Sequence, residues 1–105
     1  MKYKNIIFKN KENTAIIHLN RPEVLNSFNY EMADEMLDVL NKCEANQEVR
    51  AILISGEGRA FCAGQDLEEA TKENGPRIDE IIDHTYNPIV KLITKINKPI
   101  VCFVN

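Results

Sequence analysis

Two short segments near the start of the chain alternate between apolar and polar positions. Residues 3–9 and 14–20 are rich in β-branched and aromatic side chains, and the polar residues 10–13 between them suit a turn. Such alternation is typical of strands with one buried face, so the pattern predicts a β-hairpin. In its second strand, Ala15, Ile17 and Leu19 share one face, and Ile16 and His18 share the other.

The apolar positions then change to a helical period. Over residues 30–45 they recur every three or four positions, and Asn29 can cap the first turn, which predicts an amphipathic helix. Residues 49–55 are apolar apart from Arg50, which indicates a strand covered on both faces. The helical stripe consists of Met32, Met36, Leu40 and Cys43.

The second half of the chain alternates between helical and strand patterns. Residues 67–72 predict a short helix, which the Glu-Asn-Gly-Pro sequence at 73–76 ends. A longer helical stripe follows, with Pro88 either kinking one helix or beginning a second one. Residues 100–104 predict another buried strand. The stripe consists of Ile78, Ile82, Tyr86, Ile89, Ile93 and Ile96.

The order strand, strand, helix, strand, helices, strand indicates an α/β fold. With 105 residues, the chain is long enough for one domain at most. No predicted element follows the last strand to cover it. We therefore expect residues 1–105 to be a fragment of a longer protein, or an entity completed by another chain.

Charge and apolar content exclude several classes of function. The net charge is −3, and 13 Lys and Arg residues are scattered among 16 acidic ones, so nucleic acid is not an expected partner. No apolar stretch approaches the roughly 20 residues that cross a bilayer, and no signal-peptide core follows Met1. We therefore expect no membrane partner and a cytoplasmic location. The odd number of cysteines and the absence of a CxxC pair argue against disulfides and a zinc site, so no metal is expected.

Two connecting segments carry the candidate chemistry. Residues 59–67, RAFCAGQDL, join a predicted strand to a predicted helix. Small residues let the backbone approach a ligand closely, and such a turn offers peptide N–H groups to an anion. Residues 19–27, LNRPEVLNS, end the hairpin. In this order the two segments resemble the enoyl-CoA hydratase/isomerase, or crotonase, superfamily, and residues 98–105, KPIVCFVN, extend the resemblance.

The resemblance implies a crotonase-like ββα spiral, of which this chain is the N-terminal part, and a site for an acyl-CoA thioester. Gln65 matches the residue whose backbone N–H is one of two oxyanion-hole donors to the thioester oxygen. By the same resemblance, Ala63 presents its carbonyl near the CoA adenine and Gly64 keeps the turn narrow for the ligand. Asp66 is expected to cap the following helix, and Leu67 to border the acyl pocket. An ordinary tight turn is the alternative for all five.

The upstream segment matches the family's first CoA-contacting loop. Residues equivalent to Val24 and Leu25 pack near the nucleotide and the pantetheine. Arg21 is a candidate phosphate partner, because a guanidinium pairs well with phosphate oxygens. A solvated charge at the end of a strand is the alternative for Arg21. We expect Asn26 to hold the loop through hydrogen bonds to the backbone rather than to touch substrate.

Three other residues have reactive side chains. Cys62 lies beside the predicted donor and would be a nucleophile if its pKa were lowered, but a small packing residue is the favoured interpretation. His18 and His84 are far apart in sequence and form no Cys-His-Asn pattern. We expect both histidines to be solvent-facing or hydrogen-bonded rather than catalytic.

The function implied is that of an acyl-CoA-processing enzyme, a lyase or isomerase that stabilises a thioester enolate in fatty acid or aromatic acid degradation. The resemblance implies no cofactor except CoA within the substrate, and a trimer or hexamer for the full-length protein. The sequence of residues 61–67 is most similar to that of family members acting in aromatic-acid breakdown. The family's second N–H donor and its acid/base residues are expected beyond Asn105, so the chain alone should be inactive. The alternative is a catalytically inactive acyl-CoA-binding or protein-interaction fragment.

Overall fold

A hairpin begins the fold. A computed structural model describes residues 2–105, in which strand β1 (Ile6–Lys11) pairs antiparallel with strand β2 (Thr14–Leu19). The predicted hairpin is confirmed, but its turn is Glu12-Asn13 rather than residues 10–13. Both turn residues have positive φ, 48° and 70°, as a two-residue turn that matches the strand twist requires.

The first strand also begins later than predicted. The Asn5 carbonyl still accepts a hydrogen bond from the Asn20 N–H, at 2.8 Å, but the N–H groups before Ile6 bond to a helix. The backbone N–H groups of Lys4 and Asn5 donate to the buried Glu35 carboxylate at 3.0 and 2.9 Å, and Glu35 belongs to helix α1 (Tyr30–Ala45). This helix has the predicted bounds, and Asn29 caps it by accepting the Met32 N–H at 2.9 Å.

Two parallel strands complete the sheet. Strand β3 (Ala51–Gly56) pairs with β2, and strand β4 (Ile100–Cys102) pairs with β3, giving the order β1-β2-β3-β4. The core lies between one face of this sheet and the helices. The sheet residues of the core are Ile6, Ala15, Ile17, Leu19, Ile52 and Ile54, and α1 contributes Met32, Ala33, Met36, Val39, Leu40 and Cys43.

Two predictions of burial are wrong. Strand β3 is half-buried on its second face, where Leu53 lies, instead of being covered on both. The last strand ends at Cys102, and Val101, Phe103 and Val104 are 58%, 64% and 70% exposed. The reason is position: β4 is the edge strand, and nothing within residues 2–105 covers its outer side.

The helical second half is interrupted twice. Helix α2 (Leu67–Ala70) is shorter than predicted and ends at the C-cap Thr71, whose backbone N–H and hydroxyl both donate to the Leu67 carbonyl, at 2.9 and 2.6 Å. Helix α3 (Ile78–Ile81) leads through a π-helical turn (Ile82–Tyr86) into helix α4 (Asn87–Lys95). Pro88 is the second residue of α4, not the first residue of a separate helix, since the backbone stays helical from Ile78 to Lys95.

The π-helical turn also changes which isoleucines are buried. Ile81 and Ile89 are in the core, but Ile78 and Ile82, which were predicted in the same stripe, are 61% and 40% exposed. One extra residue in a turn rotates the following helix by about 100° relative to the preceding one. A stripe of uniform helical spacing therefore cannot stay on one face across this turn.

None of the helices described in residues 2–105 is both long and apolar enough to cross a membrane.

Candidate active site

The two predicted ligand-contacting segments lie at the same edge of the sheet. Residues 20–29 follow β2, and residues 57–66 follow β3, which runs parallel to it. The carboxyl ends of parallel strands meet at one edge, where α/β proteins commonly bind ligands. We call these segments the first loop and the second loop.

Asn26 joins the two loops through its side chain. It is completely buried, its Oδ1 accepts the Arg21 N–H at 2.7 Å, and its Nδ2 donates to the carbonyls of Glu57 and Ala60, both at 2.9 Å. All of these partners are backbone groups, so the predicted loop-holding role of Asn26 is confirmed. The loop needs this support because Leu25 and Asn26 both adopt left-handed φ values of 55° and 57°, which are unfavourable for residues other than glycine.

Arg21 and Asp66 form a second link between the loops. Their side chains are 2.9 Å apart and each is only 14% exposed, and Arg21 also donates to the Ser27 carbonyl at 2.5 Å. The alternative of a solvated strand-end charge for Arg21 is therefore wrong. Its role as a phosphate partner stays a prediction.

Asp66 has two functions in the second loop. As predicted, it caps the following helix, with its Oδ1 accepting the Glu69 N–H at 3.3 Å. Burial by itself raises the pKa of the Asp66 carboxyl, but the hydrogen bond from Arg21 and those from the helix backbone outweigh it and hold the pKa below its ordinary value. Asp66 is therefore an ionised structural group near neutral pH.

The backbones of the two loops pair directly. The Ala63 N–H donates to the Leu25 carbonyl at 3.0 Å, Phe28 N–H to the Gly64 carbonyl at 2.8 Å, and Asp66 N–H to the Phe28 carbonyl at 2.8 Å. These bonds form a short parallel bridge between Phe28 and Gln65. They fix the second loop on the first without using the Gln65 backbone N–H.

The direction of the Gln65 N–H follows from this bridge. The peptide unit between Gly64 and Gln65 is planar and trans, so its N–H points opposite to its carbonyl. Since that carbonyl faces Phe28, the N–H faces away from the first loop's backbone. Within residues 2–105 no atom accepts this N–H. Gly64 makes the turn at φ 121°, and a Cβ there would meet nothing within 4 Å, so backbone conformation rather than crowding favours glycine.

A cavity of about 440 Å³ lies between the two loops, and Gln65 is one of its lining residues. Val24 and Leu67 give it an apolar wall and are 40% and 74% exposed. The Ala63 carbonyl accepts no hydrogen bond within the described residues. The lining residues are Val24, Ser27, Ala63, Gln65, Asp66, Leu67 and Glu68. Of the predicted site residues, Arg21, Leu25 and Gly64 do not line the cavity but hold its two loops together.

Several residues at the site were not predicted from the sequence. Ser27 and Glu68 line the cavity, and the Tyr86 hydroxyl donates to the Gln65 side-chain oxygen at 2.8 Å. Gly56 is needed for close approach, because a Cβ there would lie 2.6 Å from the Phe61 carbonyl oxygen. The only signals were that Ser27 is the last residue of the first motif and that Glu68 directly follows the second. Tyr86 is 21 residues from Gln65, and nothing in its neighbourhood indicates the contact.

The other reactive side chains are separate from one another. Cys62 is half-buried against the core, with its thiol 3.9 Å from the Gly64 carbonyl oxygen. His18 contacts Ser55 and lies 3.5 Å from Glu57, and His84 lies 3.2 Å from Asp34. Both histidines are hydrogen-bonded, as expected. Residues 2–105 contain no cluster of three His, Cys, Asp or Glu side chains that could hold a metal ion.

The fold and the paired loops define a class, the crotonase-fold proteins. Solved structures of that class match the chain: an enoyl-CoA hydratase from Mycobacterium avium subsp. paratuberculosis K-10 has 25% identity and a TM-score of 0.81 over 98% of this chain and 37% of its own. An enoyl-CoA hydratase/isomerase from Pseudoalteromonas atlantica T6c has 28% identity and a TM-score of 0.78 over 96% of this chain and 38% of its own. The predicted fold is confirmed.

Sequence comparison gives the family. Residues 9–105 match the model of the family described as Enoyl-CoA hydratase/isomerase, and the chain belongs to this family. The chain is 43% identical over 90 residues to the 1,2-epoxyphenylacetyl-CoA isomerase of Escherichia coli strain K12. The matched residues cover 83% of this chain and 34% of that protein. The chain thus spans about a third to two fifths of the length of these relatives.

Proposed function

We propose that this chain carries the first half of an acyl-CoA site, in an enzyme of the enoyl-CoA hydratase/isomerase type. The Gln65 backbone N–H is the proposed donor to the thioester carbonyl oxygen. The observation that carries the proposal is that this N–H has no acceptor within residues 2–105 and belongs to a residue that lines the cavity. A donor left unpaired in this way is costly unless a ligand or water accepts its hydrogen bond.

The chemistry requires a donor that is positioned before the reaction. Hydration and isomerisation of a CoA thioester pass through an enolate-like oxyanion, and fixed donors stabilise this charge as it develops. Removing one such donor raises the barrier by about 3 kcal/mol. The carbonyl bond to Phe28 holds the Gln65 peptide in place before substrate arrives, so no reorganisation of this donor is needed during the reaction. CoA enters as part of the substrate, and no separate cofactor is proposed.

The remaining predicted residues are assigned to CoA and acyl binding. Val24 and Leu67 are proposed to supply apolar surface to the ligand, and the Ala63 carbonyl, which accepts no hydrogen bond within residues 2–105, is the proposed acceptor for the adenine amino group. Leu25 and Gly64 act by holding the loops that frame the cavity. Asp66 acts through its pair with Arg21, and the proposed phosphate contact of Arg21 uses guanidinium N–H groups that this pair leaves free.

The proposal is tested by removing the N–H in the natural full-length protein. Gln65→Pro deletes this donor but keeps the Gly64 carbonyl and Asp66 N–H that bond to Phe28. We expect kcat for an acyl-CoA thioester to fall about 100- to 1,000-fold. Gln65→Ala is the matched control, because it shortens the same side chain and keeps the N–H. Equal turnover by a folded Gln65→Pro variant and by Gln65→Ala would refute the assigned role.

A binding-only function makes a different prediction. A protein that only binds acyl-CoA would retain affinity for the thioester but show no turnover of crotonyl-CoA in any form. Measuring binding by calorimetry alongside hydration in the same preparation separates the two functions. Turnover that depends on the Gln65 N–H supports the enzyme, and binding without turnover supports the alternative.

A further inference from the structure

Tyr86 contacts both sides of the bridge that holds the proposed donor. Its hydroxyl donates to the Gln65 side-chain oxygen at 2.8 Å, and its ring lies against the Phe28 ring, with 6.0 Å between the centroids. Phe28 is the residue whose backbone bonds to the peptide groups on either side of Gln65. Tyr86 therefore contacts both residues of the backbone bridge between the two loops.

The Gln65 side chain is held at both ends of its amide. Tyr86 bonds its oxygen, and the Gln65 Nε2 donates to the Glu69 carboxylate at 3.3 Å. The other oxygen of Glu69 accepts the Tyr30 N–H at the start of α1, at 3.2 Å. An extended polar side chain next to a cavity is normally free to rotate, so this arrangement is a specific restraint.

The restraint acts where the backbone most needs it. Gly64, with φ 121°, immediately precedes the Gln65 N–H, and glycine gives the backbone more conformational freedom than any other residue. Phe28 bonds to the carbonyl of this peptide and to the Asp66 N–H that follows it, so every restraint on the Gln65 backbone comes from the first loop. The Tyr86 bond to the Gln65 side chain adds a restraint from a separate element, outside the bridge.

The π-helical turn provides that separate anchor. Tyr86 is its last residue, and π-helical turns commonly occur at functional sites. Thr85 is fully buried, and its hydroxyl donates to the Ile81 carbonyl at 2.5 Å, which bonds the turn to the end of α3. Burial, together with the acidic neighbours Cys62 and Glu69, raises the pKa of the Tyr86 hydroxyl, so it remains a protonated donor at neutral pH.

We infer that Tyr86 is a positioning residue, which orients the Gln65 backbone N–H toward the thioester carbonyl through the Gln65 side chain. The inference rests on the proposed function. It assigns Tyr86 no contact with the substrate. Its consequence is that loss of the hydroxyl affects the alignment of the donor more than it affects ligand affinity or folding.

The test is the carbonyl stretching frequency of a bound thioester, which reports hydrogen bonding to that oxygen directly. The natural full-length protein binds butyryl-CoA labelled with carbon-13 at the carbonyl, a saturated thioester that cannot be hydrated, and the isotope-edited infrared spectrum is recorded. Tyr86→Phe removes only the hydroxyl. Tyr3→Phe is the matched control, because the Tyr3 hydroxyl makes a similar bond to Asp38, at 2.6 Å, away from the site.

We expect the wild-type protein to lower the frequency relative to free thioester, and Tyr86→Phe to lose part of that shift. With crotonyl-CoA, kcat of Tyr86→Phe should fall about three- to tenfold with KM within about twofold, as expected when one positioning bond is lost. Tyr3→Phe should leave both the frequency and kcat unchanged. Gln65→Ala removes the acceptor of the same bond. The decreases in kcat caused by Gln65→Ala and by Tyr86→Phe should therefore be non-additive in the double variant.

The outcomes separate this inference from the proposed function. A wild-type frequency shift that persists in full in both Tyr86→Phe and Gln65→Ala overturns the positioning role and leaves the Gln65 N–H as donor. No shift in the wild-type protein refutes the proposed donor itself. Should Tyr86→Phe fail to fold, Gln65→Ala alone decides, since it leaves the tyrosine and its ring contact in place.

Discussion

Among the side chains of the two loops, that of Asn26 makes the largest number of hydrogen bonds. Its amide satisfies one N–H and two carbonyl groups that would otherwise be unpaired next to a sharp turn. An amide is suited to this position because it combines an acceptor with two donors in one plane. A carboxylate of the same shape has no donor.

Asn26→Asp should therefore destabilise the protein strongly. The substitution loses both Nδ2 bonds and puts a charge at a completely buried position, facing the Glu57 and Ala60 carbonyl oxygens. We expect the free energy of unfolding to fall by about 2–4 kcal/mol at neutral pH, measured by urea denaturation. Asn46→Asp is the control, because exposed Asn46 acts as an acceptor for the Glu48 N–H. Equal stability of the two variants would contradict the role given to Asn26.

Residue roles were predictable where they depend on neighbours in the chain. Capping by Asn29 and Asp66, and loop support by Asn26, follow from short side chains placed beside a turn or a helix start. The Arg21 partner was not predictable, since Asp66 is 45 residues away. Either a phosphate or a carboxylate satisfies a guanidinium, and only the packing of the two loops determines which carboxylate is near.

At the scale of elements, α1 agreed with its pattern completely. Its bounds, its Asn29 cap and its buried stripe all match, because propensity, capping and periodicity agree along 16 residues. The later helices did not behave in this way. A π-helical turn has no strong sequence signal, and it changed the face on which each isoleucine lies.

The cap of α1 is a testable part of this consistency. Asn29→Ala should lower the free energy of unfolding by about 1 kcal/mol, because the Met32 N–H loses its acceptor. Asn29→Ser retains a capping oxygen and should lower the free energy of unfolding by only a few tenths of that amount. Asn41→Ala is the control, because Asn41 lies on the exposed surface of the same helix. Alanine should be neutral or stabilising there. Thermal unfolding of the three variants measures the difference, and a similar change at positions 29 and 41 would argue against the cap.

For the whole molecule, the pair of Arg21 and Asp66 links stability to pH. The pKa of Asp66 is lower in the folded chain than its ordinary value, so the unfolded chain binds the proton more tightly. The contribution of Asp66 is therefore complete above the ordinary aspartate pKa of about 4 and is lost as the pH falls through the folded value. Asp38, whose pKa is lowered by hydrogen bonds from Tyr3 and Lys42, adds to the same trend.

Asp66→Asn should reduce stability near pH 7 and flatten the loss of stability below pH 4. The Arg21 charge is then left without its partner, while asparagine still caps α2. Unfolding free energies measured from pH 7 to pH 3 in wild type and variant test this, with Asp79→Asn as an exposed control. A variant whose stability declines with acid as steeply as the wild type would exclude Asp66 as a source of the pH dependence.

The sequence by itself determined the hairpin, the faces of β2, helix α1 and the positions of the two loop motifs. These features depend on period, caps and glycine placement, which act between residues close in the chain. The tertiary structure decided the pairing of Phe28 with Gln65, the Arg21–Asp66 link, the contact of Tyr86 and the exposure of β4. Each of these depends on which distant segments meet, and that is determined by the packing of the sheet and helices together rather than by any local pattern.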